Sequence, residues 1–136
     1  MSSGLFQYAI ATHKKQEFID ITYLLGQAVE QSGIQSGLAV IYCPHTTAGI
    51  TLNENADPDV VRDILTALAK TFPEEGDYRH FEGNSPAHLK SACLGAAKTL
   101  IIAEGKPLLG RWQGLYFCEF DGPRDRRVLI KIMADR

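Results

Sequence analysis

Three of the chain's four histidines, His45, His80 and His88, stand in turn or helix-start contexts that make poor core positions. Imidazole titrates closest to neutrality, so each can bind a metal, accept a proton or donate a hydrogen bond. His45 lies in Cys43-Pro44-His45-Thr46-Thr47, where Pro44 ends an apolar run and turns the histidine out beside two hydroxyls. The plainer reading is a loop histidine bonded to a carbonyl. His88 follows Ser85-Pro86-Ala87. With Ser85 as helix cap it falls in the first turn, where the partial positive charge favours neutral imidazole and free backbone N–H groups suit phosphate or carboxylate. The plainer reading is a surface histidine. His80, in Tyr78-Arg79-His80-Phe81-Glu82-Gly83-Asn84, is weak by itself. Three neutral imidazoles around an open position would make a catalytic zinc site, and His13, in a lysine-rich turn, is the poorer third donor. No His-x-x-x-His or Cys/His knuckle is present, so spacing alone makes no metal motif.

Carboxylates and rings complete the inventory. Asn53-Glu54-Asn55-Ala56-Asp57 concentrates polar groups beyond a strand and before a helix. Glu54 can serve there as a general base or hold a ligating histidine, while Asp57 is more simply an N-cap. Glu119 interrupts an apolar strand and shares a face with Leu115 and Phe117, so it must be paired or sit at a pocket; the pocket is favoured slightly. Trp112, in Gly110-Arg111-Trp112-Gln113-Gly114, can line a ring-binding surface with Arg111 or Gln113 reaching an anion, or can form a subunit contact.

Several elements must position these groups. Residues 5–11, 18–21, 38–42, 48–53, 99–103, 114–120 and 128–133 have strand length and apolar character, with 38–42 central in a sheet. A helix capped by Thr22 carries Leu25, Ala28 and Val29 and ends at Gly33, with Ile34 folding back. Asp57-Pro58 opens a helix with Val61, Ile64, Leu65, Leu68 and Phe72 at helical spacing, ended by Pro73. Residues 73–84 form a loop, and Ser85-Pro86 opens a helix to about Leu94. Gly105-Lys106-Pro107 and Asp121-Gly122-Pro123 are turns. Strands bracketing grouped helices predict an α+β fold, sheet on sheet, with the helices on one side.

Composition bounds the function. At 136 residues the chain fits one domain, 1–136, and a 45% apolar share supports a core. A net charge of -2 argues against nucleic acid, and the basic run Arg124-Asp125-Arg126-Arg127 is interrupted by acid and reads as a solvated turn. Three widely spaced cysteines fit reduced thiols. No basic leader with an apolar run opens the chain, and no stretch approaches bilayer length, so a cytoplasmic protein without membrane contact is expected.

Pro44-His45-Thr46-Thr47-Ala48-Gly49-Ile50-Thr51 and Asn53-Glu54-Asn55-Ala56-Asp57-Pro58-Asp59-Val60 together resemble the signature of the YjbQ family. So do Ala87-His88-Leu89-Lys90, Leu108-Leu109-Gly110-Arg111-Trp112-Gln113-Gly114 and Glu119-Phe120-Asp121-Gly122-Pro123-Arg124. The resemblance covers nearly the whole chain. It implies mostly antiparallel sheets packed as a sandwich with about three helices, a homotrimer, and an activity like that of secondary thiamine-phosphate synthases. Such enzymes join a hydroxymethylpyrimidine diphosphate to a thiazole phosphate. It further implies a metal or anion pocket at His45, His80 and His88, holding a divalent ion such as zinc or magnesium. His45, His88 and Glu54 would be catalytic; Thr46, Thr47, Asn55, Asn84, Ser85, Trp112 and Glu119 would contact a small phosphorylated metabolite, with Trp112 or Tyr116 stacking on the pyrimidine. Relatives often carry an acidic residue before the Pro-Ala-His turn where this chain has Asn84-Ser85, so no carboxylate role falls there. Alternatives are a metal-dependent hydrolase with Glu54 as base, or a non-catalytic module for an anionic metabolite.

Overall fold

The computed structural model describes residues 4–136; residues 1–3, part of the opening segment expected to hold no leader, lie outside that range. Its elements run β1 (Leu5–Ala11), β2 (Glu17–Asp20), α1 (Thr22–Ser32), β3 (Gly37–Tyr42), β4 (Ala48–Glu54), α2 (Pro58–Thr71), α3 (Ser85–Leu94), β5 (Ala97–Ala103), β6 (Lys106–Pro107), β7 (Gln113–Glu119) and β8 (Asp125–Ala134). The strands form a five-stranded sheet, β1-β8-β3-β5-β6, and a three-stranded sheet, β2-β7-β4, antiparallel throughout. The expected α+β sandwich with three helices is what the chain builds.

Alternation decides what each strand buries. In β4, Ala48, Ile50 and Leu52 enter the main core, as do Leu115 and Phe117 of β7; from the other sheet come Ala39, Ile41, Leu100, Ile102, Val128, Ile130 and Ile132. Residues one step out of phase on β7, Tyr116 and Cys118, join Phe120 in a second cluster, partly covered by Phe18 and by Val61, Leu65 and Leu68 of α2. The expectation that all helices share one side needs correction. α2 and α3 lie over the small sheet, but α1 buries Leu24, Leu25, Ala28 and Val29 in the main core, against strands of both sheets.

Helix ends explain the local differences from expectation. α1 terminates as expected at Gly33, whose φ of 68° is left-handed, with Ile34 packed on the core. Asp57 caps α2 by accepting from the Asp59 N–H, and Pro58 occupies the first helical position. Two caps shift by one residue: Ile21, not Thr22, precedes α1, and Asn84, not Ser85, precedes α3. Thr22 lies inside because its hydroxyl is engaged elsewhere, donating to Asp20 Oδ1 and accepting from the Leu115 N–H. No helix among the described residues is long and apolar enough to cross a membrane.

Candidate functional site

Three hydrogen bonds bring the end of α3 and the turn after it against β4 and the residue after β3, and so His88 towards His45. Ser91 Oγ donates to the Ala48 carbonyl at 2.7 Å, the Ile50 N–H bonds Gly95 O, and the Cys43 N–H bonds Ala96 O. Gly49 permits this approach, because a Cβ there would stand 2.9 Å from the Gly95 carbonyl oxygen. The result is a cleft of about 420 Å³ lined by His45, Thr46, His88, Ser91 and the Gly95–Ala96 turn. On its other side His88 borders a second hollow of about 340 Å³ with Tyr78, Arg79, His80 and Ser85. The His80 and His88 rings meet edge to face, centroids 5.2 Å apart. His88 is therefore the residue common to both hollows, with His45 and His80 on either side of it.

The helix start is a poorer anion cradle than its sequence promises. The Ala87 and His88 N–H groups both bond the Asn84 carbonyl, and Pro86 has none, so among the described residues Ser85 supplies the remaining first-turn donor. Asn84 uses its amide to donate to Asp121 Oδ2 at 2.9 Å, fastening the α3 start to the turn between β7 and β8. Its Oδ1 is buried without a partner among the described residues.

Glu119 is not a pocket group. It lies on the Leu115–Phe117 face, as alternation required, but is wholly buried and its two oxygens accept from five donors: Thr12 Oγ1, Arg126 Nε and Nη2, and the N–H groups of Phe120 and Asp121. Burial alone would raise its pKa; the Arg126 and Thr12 hydrogen bonds outweigh that and hold it below the usual carboxylate range. Thr47 is likewise buried, its Oγ1 accepting from Arg126 Nη2 at 2.7 Å. Both are corrected from substrate contacts to framework. Arg126 is itself buried, so the basic run is no solvated turn at that position. Its signal was its phase: Arg126 alternates with Val128, Ile130 and Ile132, all of which point inward.

That framework ends at His45. The next residue, Arg127, donates its backbone N–H to His45 Nε2 at 3.0 Å, and the ring meets Phe117 edge-on. Burial first, and then the Arg126 guanidinium, hold His45 below the ordinary histidine pKa.

The remaining expected residues lie elsewhere. β4 is seven residues long, which at ~3.3 Å per residue puts Glu54 about 20 Å from Ala48 and the histidine end. Asn55 donates to Asp20 Oδ2, the Asn55 N–H bonds the Trp112 carbonyl, and Arg111 stacks over the exposed Trp112 ring with 5.0 Å to its centroid. Tyr116 is buried under α2 with its hydroxyl on the Glu54 carbonyl, so neither it nor Trp112 can stack on a ligand beside His88. Within one chain, Glu54, Asn55 and Trp112 do not join the site.

A divalent ion held through Nε2 of His45 does not fit this arrangement. His45 Nε2 already receives an N–H, and among the described residues no three histidine, cysteine or carboxylate side chains gather in a ligating group. Lys90 was also missed: two residues beyond His88, it is almost fully buried and donates to Gln16 Oε1 at 2.7 Å. Its phase with Ala87 and Leu94 on α3 marks that face as inward.

Residues 6–135 match the family described as UPF0047 protein YjbQ-like. A UPF0047 protein of Methanocaldococcus jannaschii is 52% identical over 132 residues, covering 97% of this chain and 96% of its own. The UPF0047 protein YugU of Bacillus subtilis is 54% identical over 126 residues, covering 92% and 96%. The crystal structure of a YjbQ/UPF0047 protein from Clostridium acetobutylicum is 58% identical, superposes with a TM-score of 0.93, and covers 94% of this chain and 99% of its own. Sequence and fold agree, and the chain belongs to the YjbQ-like UPF0047 family.

Proposed function

We propose that the hollows on either side of His88 bind a small phosphorylated metabolite, and that the chain acts on it as a weak transferase of the thiamine-phosphate-synthase kind. The observation that carries this reading is the shared position of His88, flanked by His80 and Arg79 on one side and by His45 and Thr46 on the other. Departure of diphosphate needs donors and positive charge around the leaving oxygens more than it needs a base. Arg79, Ser85, Thr46 and the imidazoles are groups of that kind. The hydrolase alternative is weakened, because it requires a carboxylate beside the attacking water and Glu54 lies at the other end of β4. The test is growth of a strain lacking thiamine-phosphate synthase. The parent chain should rescue it and His88→Ala should not; no rescue at high expression leaves the non-catalytic binder.

The same proposal includes a homotrimer. Its support is the outer face of the large sheet, where Leu38 stands opposite both Met133 and Ile101 and all three are exposed, with Tyr42 and Leu5 on the same face. Sedimentation giving a monomer at micromolar concentration would defeat it.

A further inference from the structure

The nitrogen atoms of His45 are not equivalent. Nε2 accepts the Arg127 N–H, which requires a lone pair there and places any ring proton on Nδ1. Protonating Nε2 would aim two N–H groups at one another, so imidazolium formation must first break this contact. The contact is well supported. Arg126, immediately before Arg127, is fixed by two bonds to Glu119 and one to Thr47 Oγ1, and Thr47 is two residues from His45. Both partners of the His45–Arg127 bond thus hang from one buried ion pair, while Phe117 limits ring rotation from the core side. Nδ1 has no bonding partner among the described residues and is not enclosed, and the ring lines the cleft with Thr46 and His88.

We propose that His45 is a fixed hydrogen-bond donor, neutral and protonated at Nδ1, that presents this N–H to an anionic or carbonyl oxygen in the cleft. It is neither a metal ligand through Nε2 nor a proton acceptor. Glu119 and Arg126 act as positioning residues that set this tautomer, and the ligand class is a phosphoryl or carboxyl oxygen. The donor role rests on the proposed anion-binding cleft; the tautomer does not.

The two are separated by one set of measurements on the full-length protein with nitrogen-labelled histidine. Long-range proton–nitrogen spectra of the ligand-free protein at neutral pH should show His45 with a protonated Nδ1 and an unprotonated Nε2. The reverse tautomer, an imidazolium, or an average of both forms would overturn the proposal whatever binds later. Zinc ion added alone should leave the His45 nitrogens unmoved, and a shift at its Nε2 before any at His80 or His88 would also overturn it. Inorganic pyrophosphate should then move Nδ1. A correct tautomer with no response to pyrophosphate would refute the anion-binding reading and the donor role with it, while the tautomer stood. Variants provide a second readout. His45→Ala should weaken pyrophosphate binding roughly tenfold, the loss expected for one hydrogen bond to a charged group. His45→Asn, which keeps a donor near the Nδ1 position, should restore most of it. His45→Gln, which reaches the Nε2 position instead, should not, and restoration by Gln rather than Asn would reverse the assignment.

Discussion

The two ends of β4 both gather polar side chains and are opposite in state. Around its last residue, Glu54, lie Asn55, Asp20, Thr22 and Trp112; before its first lie His45, Thr46 and, across the cleft, His88. At the Glu54 end the polar groups answer one another: Asp20 accepts from the Thr22 N–H, the Thr22 hydroxyl and the Asn55 amide, and Thr22 accepts from Leu115. Burial alone would raise the Asp20 pKa, yet these hydrogen bonds hold it below the usual value. At the histidine end a saturated layer, Glu119 with Arg126 and Thr47, supports a second layer whose donors face open space. Polar residues past a strand end mark a site only when something in them is left over after the fold has been built.

The sharpest way to break this contrast is at the supporting layer. Glu119→Gln leaves the Arg126 guanidinium buried without a charge partner and should destabilise the protein by about 3–5 kcal/mol in denaturant unfolding. Because Glu119 is held below its ordinary pKa, its contribution is present above the carboxylate range of the unfolded chain and is lost as pH falls through the lowered folded value. The parent should therefore lose stability steeply in acid, and the variant should show a shallower slope. A variant as stable as the parent would mean the pair supports nothing.

Next in size, His88→Ala should weaken pyrophosphate binding, measured by calorimetry, by roughly tenfold or more, consistent with loss of a hydrogen bond to a charged group. Its unfolding free energy should stay within about 0.5 kcal/mol, since the ring is only half-buried. Stability loss without binding loss would place His88 in the wrong layer. Asn55→Ala tests the opposite end. Removing its bond to Asp20 should cost about 0.5–1.5 kcal/mol of stability and leave pyrophosphate affinity unchanged. The smallest effect belongs to Glu54→Gln, for which both binding and turnover should match the parent; a steep fall in turnover would return the carboxylate to the chemistry.

The elements were legible where periodicity and punctuation agreed. Asp57-Pro58 and Pro73 bracket α2, and Gly33 ends α1, because proline and left-handed glycine act locally. Register across sheets was not legible, and that is where the site readings divide. Glu54 ends β4 and His45 precedes it, yet no local signal says that a strand's two ends serve different purposes. Alternation gives Glu119 its observed face but not its role, since its partner lies beyond a turn and the apolar run that marks the last strand begins at Val128, two residues past Arg126. α2 shows the converse: the clearest helix in the sequence buries none of its residues fully, because strength of pattern reports which face is apolar and not how deeply it is covered.

The grip on His45 comes from the main chain of Arg127, and this has a consequence for how the protein tolerates change. Every amino acid but one carries the same amide hydrogen, so the identity of the side chain at 127 is free to drift while the imidazole stays aimed. A saturation library at that position should come back permissive, with a single gap at proline.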